Sequence, residues 1–313
     1  MNYIGVDLGG TNIVVGLIDE DGKIIKSLNR PTEKERAVEL IFDDIFDMCN
    51  EIINEFKLDK TSLSGIGMGI PGTVDDKNGV IVYAPNIKID HFDVRKYAQG
   101  KIDYEIRLGN DADCAALGEV VAGGAKGCSD AIVVTLGTGV GGGIIIGGKI
   151  FPGFYPGGAE VGHQIIEVNG RQCGCGKKGC FEAYSSASAL ILAAKKKAEE
   201  NKESLLYKLV DGNLDNMNAK VPFDADQAGD KAGHEVIEEY LDYLAIGISN
   251  LITIFKPESI LLGGGVCKQG ENLTVPLKER LKELAFGGEL VTEIGIASLG
   301  NDAGLIGAAM LNK

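Results

Sequence analysis

Basic residues are scarce in this chain. Its 313 residues hold 31 lysines and arginines against 45 aspartates and glutamates, a formal charge of −14. A balance this acidic argues against nucleic-acid binding through a broad basic surface. It leaves room for a phosphorylated ligand, because backbone N–H groups and a metal ion can hold phosphate. Long apolar runs are also missing: none approaches the roughly 20 residues of a membrane span. The opening MNYIGVDLGG enters a strand at once, with no basic n-region and apolar stretch, so no signal peptide is expected. The expectation is therefore a cytoplasmic address, where thiols stay reduced and disulfides among the seven cysteines are disfavoured. No Pro- or Ser-rich linker divides the chain, although its length suits two domains. Those domains are expected to share a cleft rather than hang on a tether.

What the chain does have is glycine, 45 residues of it, in clusters, within a sequence that is 44% hydrophobic. YIGVDL at 3–8 reads as a strand, GGTN as a turn, and IVVGLID at 13–19 as a second strand, with KIIKSLN extending the meander. Val38, Ile41, Ile45, Met48, Ile52 and Phe56 recur at helical spacing within 33–57. SGIGMGI at 64–70 and EIRLGN at 105–110 read as buried strands, the second running into a helix at DADCAALGEVVAG. At 131 the opening recurs: AIVVTL as a strand, GTGVGGG as a glycine loop, IIIGGKI as a strand. This is an internal duplication of strand, glycine turn and strand. Helices are expected at about 184–200 and 231–255, a strand at SILLGGGV, and a closing small-residue helix at NDAGLIGAAMLN.

The glycine sites are Gly9-Gly10-Thr11, Gly137-Thr138-Gly139 and Gly263-Gly264-Gly265. The second formally matches GxGxxG, but a dinucleotide fingerprint needs a following helix, and here Ile144-Ile145-Ile146 continues as a strand. No GxxxxGK[ST] is present, so a P-loop fails as well. A single such turn would be read as a tight hairpin. Two related copies plus a third glycine run favour N–H groups closing on a nucleotide polyphosphate. Asp7, at the end of the strand before the first turn, is then the natural carboxylate for Mg²⁺, held through water.

RQCGCGKKGCFE at 171–182 places Cys173, Cys175 and Cys180 ten and more residues after His163. Three thiolates and an imidazole make a closed tetrahedral Zn²⁺ site. An Fe–S cluster usually takes four cysteines, and nothing else suggests acyl chemistry for a catalytic thiol. With four protein ligands the zinc is structural rather than a Lewis acid. Cys49, Cys114, Cys128 and Cys267 read as core thiols, and His91 and His234 carry no motif.

DLGGTN at 7–12, GIGMGIPG at 65–72, GNDAD at 109–113, LGTGVGGG at 136–143 and GAEVGH-x9-CxCGxxGC at 158–180 together resemble the ROK family of bacterial sugar kinases, and within it most resemble the glucokinases. The resemblance spans nearly the whole chain in order, and its Cys/His signature is the most specific part. It implies an α/β fold of two actin-like (ribonuclease H-like) ATPase domains with an interdomain cleft. The division expected is 1–110 with a C-terminal helix at about 300–313, and 111–299 carrying the zinc motif. It also implies a homodimer, ATP and Mg²⁺ as partners in the reaction, and phosphorylation of a hexose at its 6-hydroxyl, with glucose to glucose 6-phosphate placed first. N-acetylmannosamine, N-acetylglucosamine, fructose or mannose are the alternative acceptors. A sugar-responsive regulator is the reading from another class. It is disfavoured because only six residues precede Asp7, where such relatives carry a helix-turn-helix region.

The resemblance also assigns residues. Asp111, at a strand-to-helix junction, becomes the general base that takes the hydroxyl proton; on the residues alone it could equally be only a helix cap. Asp113 lies off the motif position. Gly72, Asn86, Asn110, Asp111, Glu160, His163 and Glu182 are placed around the hexose, with Asn86 equally suited to a turn. Asp7, Gly9, Gly10, Thr11, Asn12, Gly137, Thr138 and Gly139 are placed at the phosphates, and Gly264 and Gly265 at the adenosine. If one His163 nitrogen ligates zinc, the other is free for a sugar hydroxyl. The zinc clip would thus hold Glu160, His163 and Glu182 toward the sugar, and its loss is expected to leave ATP binding mostly intact.

Overall fold

The structure, a computed structural model, describes residues 1–154 and 157–313. Branched apolar residues carry β1 (Asn2–Leu8) and β2 (Asn12–Asp19), which form an antiparallel hairpin from Asn2↔Asp19 to Leu8↔Ile13. β3 (Ile24–Pro31) continues the meander on β2. Next comes α1 (Val38–Phe56), which buries Ile41, Phe42, Ile45, Phe46, Met48, Cys49 and Ile52. It starts at Val38, the first of the apolar positions and five residues into the 33–57 stretch, after Glu33 turns at positive φ and Arg36 donates to the Thr32 carbonyl. β4 (Leu63–Ile70) pairs parallel with β1. β5 (Thr73–Asp75), β6 (Val80–Ala84) and β7 (Ile89–Asp93) make a small antiparallel sheet that the residue pattern did not announce. The one-turn α2 (Val94–Tyr97) leads to β8 (Ile106–Asn110), parallel to β4, and to α3 (Asp111–Ala122).

The pattern then repeats with β9 (Ala131–Leu136), β10 (Val140–Ile146) and β11 (Lys149–Ile150). β10 begins inside the glycine run, where a loop was expected. A Cβ on Gly143 would stand 2.6 Å from the Ala116 Cβ, so that glycine lets α3 approach the strand. α4 (Glu182–Ser185) and α5 (Ala187–Glu200) replace one expected helix. The break is Ser186, extended at ψ 159° and capping α5 through the Ala189 N–H. The remaining elements are α6 (Leu205–Lys208), α7 (Val221–Gln227), α8 (Lys231–Phe255), β12 (Ser259–Gly263), α9 (Glu271–Leu284), β13 (Glu293–Ile296) and α10 (Asp302–Met310).

Two five-stranded sheets result, ordered β3-β2-β1-β4-β8 and β11-β10-β9-β12-β13. In each, the glycine-turn pair leads an antiparallel third strand on one side, and the two outer strands on the other side, β4 with β8 and β12 with β13, are parallel. The duplication read in the sequence is thus a duplication of sheet order. The chain divides into two compact units: Met1–Val133 with Gly143–Ala159 and Ala297–Lys313, and Val134–Gly142 with Glu160–Ile296. This division differs from an expected break after residue 110, because α3 packs on α10 and stays with the first unit. Glycine makes that packing possible: a Cβ on Gly307 would overlap the Cys114 carbonyl oxygen, and one on Gly118 the Ala303 carbonyl oxygen. α10 also lies on β1 and β4, where Gly5 and Gly67 leave room for the carbonyls of Leu305 and Ala308.

Candidate functional site

In the first unit the site residues collect at the C-terminal ends of β1, β4 and β8. The turn between β1 and β2 closes with Gly9 N–H donating to the Asn12 carbonyl at 2.9 Å. Thr32, fully buried after β3, holds that turn from outside: its Oγ1 donates to the Gly9 carbonyl at 2.6 Å and its N–H to the Thr11 carbonyl at 2.8 Å. Sequence reasoning missed Thr32, since a lone threonine 23 positions from Gly9 carries no local signal. Thr11 and Asn12 are exposed, and among the described residues the Asn86 carbonyl, at 3.8 Å, is what a Gly10 Cβ would meet. Asn86 itself sits exposed on a single 3₁₀ turn, Pro85–Ile87.

Asn110 is the N-cap of α3. Its Oδ1 accepts from Ala112 N–H at 2.9 Å and Asp113 N–H at 3.4 Å, and its Nδ2 donates to the Gly72 carbonyl at 3.0 Å. Asp111 therefore is not needed as the cap, although its Oδ1 accepts from the Ala112 N–H at 2.9 Å. Gly72 is glycine for an internal reason: a Cβ there would overlap the Tyr83 carbonyl on β6. Two carboxylates share this end of the unit. Burial, and then the charge of Asp111, push the half-buried Asp7 carboxyl up to about 6. Burial of its carboxyl also raises Asp111, although the residue as a whole is exposed, against the lowering pull of its hydrogen bonds. Burial outweighs the helix N-terminus here, and the raised carboxyl is the stronger base. The Asp111 charge that raises Asp7 is one that a divalent cation held by Asp7 would offset.

In the second unit the Gly137-Thr138-Gly139 turn closes with Gly137 N–H on the Gly139 carbonyl at 3.0 Å. Gly137 needs no special φ and, among the described residues, has nothing within 4 Å of its Cβ position, and the same holds for Gly265. Neither glycine has an internal reason to lack a side chain, which leaves room for a ligand. Gly264 does have one: φ is 92°, and a Cβ would overlap the Leu136 carbonyl. Thr138 is exposed.

The expected metal ligands converge. His163, Cys173, Cys175 and Cys180 bring their donor atoms within 4.8 Å of one another. Cys173 Sγ lies 3.8 Å from His163 Nδ1, and Cys175 Sγ 3.6 Å from Cys180 Sγ. A tetrahedron with metal–sulfur bonds of ~2.3 Å has edges of ~3.8 Å, so the donor set fits zinc in both chemistry and spacing. The Lys177 N–H holds the Cys175 thiol below its usual range, while burial pushes Cys173 up to about 12. The approach through Nδ1 leaves His163 Nε2 free. Glu160 precedes the 3₁₀ turn Val161–His163 and is exposed, and His163 N–H returns to its carbonyl at 3.0 Å. Phe181, fully buried, packs into the space that Gly247 leaves on α8 and anchors the cysteine loop.

Glu182 is more engaged than a residue waiting for a sugar. Its Oε2 accepts from Val140 N–H at 3.0 Å and occupies the place of a Gly139 Cβ, while its Oε1 lies 3.5 Å from Cys173 Sγ. The other cysteines are not part of this cluster: Cys49, Cys114 and Cys267 are buried and Cys128 is half-buried. His91 is exposed, and His234 pairs with Asp226 at 2.9 Å on the surface. No described helix is long and apolar enough to cross a membrane.

The ROK family profile matches residues 3–313. A glucokinase from Thermotoga maritima is 36% identical over 318 aligned residues, which cover 100% of this chain and 98% of that protein. The crystal structure of a ROK family glucokinase from Streptomyces griseus, in complex with glucose and AMPPNP, is 34% identical, covers 99% of both chains and superposes with a TM-score of 0.75. The ROK hexokinase from Thermus thermophilus is 30% identical, with 99% of this chain and 97% of that one covered and a TM-score of 0.80. The paired glycine turns, the repeated sheet order and the Cys/His cluster meet these likenesses over the full length: the chain belongs to the ROK family and has the actin-like ATPase fold of its sugar kinases.

Proposed function

We propose that the protein is an ATP-dependent hexose kinase that phosphorylates glucose at the 6-hydroxyl. One observation carries the reading. Asn110 caps α3, so Asp111 can act as a base of raised pKa at the head of the helix, beside Asp7. Asp111 accepts the proton of the 6-hydroxyl, and the oxygen forms its bond to the γ-phosphorus in line as the bond to the β-phosphate oxygen breaks. ADP leaves with that electron pair. Asn86, Glu160, Glu182 and His163 Nε2 orient the other hydroxyls, and Asn110 adds its remaining amide N–H. Gly72 holds Asn110 through its carbonyl. The turns Gly9–Asn12 and Gly137–Gly139 offer N–H groups to the phosphates, and Gly264 and Gly265 lie by the adenosine. Mg²⁺, held near Asp7 through water, would offset phosphate charge. Zinc on His163, Cys173, Cys175 and Cys180 would fix the loop and the His163 tautomer.

The same reading includes a homodimer, which sedimentation at micromolar protein would check. The test of function is turnover of the parent and of Asp111→Asn against glucose, mannose, fructose, N-acetylglucosamine and N-acetylmannosamine, with ATP, ADP and polyphosphate as donors. Glucose with ATP should lead the panel, and Asp111→Asn should lose turnover while still binding sugar. A different leading acceptor would move the substrate but keep the base; near-parental turnover in the variant would remove Asp111 from the chemistry.

A further inference from the structure

The Cys/His cluster and the second glycine turn are joined by one short segment. Cys180 is a cluster ligand, Phe181 is fully buried, and Glu182 opens α4, a helix of only four residues. Two bonds reach the turn, one from that segment and one from the first residue of α5. Val140 N–H donates to Glu182 Oε2 at 3.0 Å, and Ala187 N–H donates to the Gly137 carbonyl at 2.9 Å. The carboxylate also fills the volume that any side chain at position 139 would claim, so Gly139 is glycine because Glu182 is there. Its second oxygen faces Cys173, another cluster ligand, at 3.5 Å.

We infer that Glu182 is a positioning residue that transmits the state of the Cys/His cluster to the Gly137–Gly139 turn, so that metal occupancy sets nucleotide affinity as well as sugar affinity, in place of the expectation that zinc loss leaves ATP binding mostly intact. This rests on the reading of that turn as a phosphate-binding element. The physical chain is short. The cluster fixes Cys180, the buried ring of Phe181 fixes the next residue, and the carboxylate of Glu182 fixes the Val140 N–H and with it the turn. A carboxylate has about four acceptor positions, so its bond to Val140 leaves capacity for a sugar hydroxyl. The two roles are compatible, and the glycine turn would then be shaped before the nucleotide arrives.

The experiment measures AMPPNP·Mg²⁺ and glucose affinity separately by calorimetry, each without the other ligand. It uses the parent, Glu182→Ala, Glu182→Gln, chelator-treated parent and chelator-treated Glu182→Ala, with melting temperatures recorded for all. Glu182→Ala should weaken AMPPNP about tenfold, the scale of one hydrogen bond to a charged acceptor. Glu182→Gln keeps an acceptor for Val140 N–H and should restore most of that loss. Chelation should weaken AMPPNP in the parent and add little in Glu182→Ala, because the link is already cut. AMPPNP affinity within twofold of the parent in Glu182→Ala, with glucose affinity lost, would overturn the inference and leave Glu182 a sugar ligand alone. If Glu182→Ala does not fold, Glu182→Gln and the chelated parent still decide: equal losses in both would deny the acceptor role. Gly137→Val separates the two layers. Open space surrounds that position, so the fold should tolerate it. If it leaves AMPPNP affinity unchanged, the turn is not a phosphate element and the underlying reading fails first.

Discussion

The Asn110 side-chain amide donates to the Gly72 carbonyl at 3.0 Å while its oxygen caps α3, and this division of labour releases Asp111 from capping. Asp111→Asn should therefore lower kcat by ~10²–10⁴, the range of a lost general base, with little change in melting temperature. Asn110→Ala should do the reverse in stability, costing about 1 kcal/mol for the cap. Denaturant unfolding and steady-state kinetics on both variants check the contrast. A variant Asp111→Asn that is as destabilised as Asn110→Ala would mean that Asp111 shares the cap.

Asp7 gives a pH dependence with a definite sign. Its folded-state pKa is raised from 3.8 to about 6, so between those values the folded chain binds a proton that the unfolded chain releases. The stability contributed by this group is whole below its unfolded pKa and is lost as pH rises through about 6. Asp7→Asn should flatten that part of the stability profile and raise stability at pH 7 by at most ~3 kcal/mol, less whatever solvent screening of the half-buried carboxyl removes. Melting temperatures from pH 4 to 7.5 give the answer; coincident slopes for parent and variant would show that Asp7 does not titrate there.

Metal removal has a direct readout. The donor set of His163, Cys173, Cys175 and Cys180 should release about one zinc per chain on chelation, with a fall in melting temperature and three newly reactive thiols. Cys175→Ser should give the same fall without a chelator. Metal analysis that finds no zinc in protein grown with zinc would end this assignment.

The glycines divide into two groups that substitution can tell apart. Gly307→Ala drives a methyl into the Cys114 carbonyl and should cost about 1–3 kcal/mol of stability or more. Gly137→Ala meets nothing within 4 Å among the described residues, so its melting temperature should stay near the parent while AMPPNP binding weakens. Loss of stability in both would mean that Gly137 is a packing residue.

Thr32 offers a parallel test on the first turn. Thr32→Val keeps the shape but removes the hydroxyl donor to the Gly9 carbonyl and should raise the KM for ATP several-fold with kcat less affected.

The hairpins and long helices were legible because their signals are local. Alternating branched residues frame Gly9–Asn12, and apolar spacing marks α1. The metal ligands were legible because four residues of two rare types, one histidine and three cysteines, fall within eighteen positions. What stayed hidden was set by tertiary contact. VGGG at 140–143 reads as loop, yet β10 starts there because α3 needs Gly143. β5 has three residues and too little pattern to stand out. Glu182 looked like one more hydroxyl ligand because nothing in the sequence places it against Gly139 or beneath Val140 N–H.

The last helix has a consequence for how the chain is made. α10 lies across β1 and β4 and against α3, elements completed by residue 122. During synthesis the first sheet therefore leaves the ribosome with one apolar face uncovered, and nearly two hundred further residues must follow before its lid exists. The second unit, whose last residue is Ile296, can be finished sooner. The half that begins first closes last, and its exposed strands are where a chaperone would bind during translation.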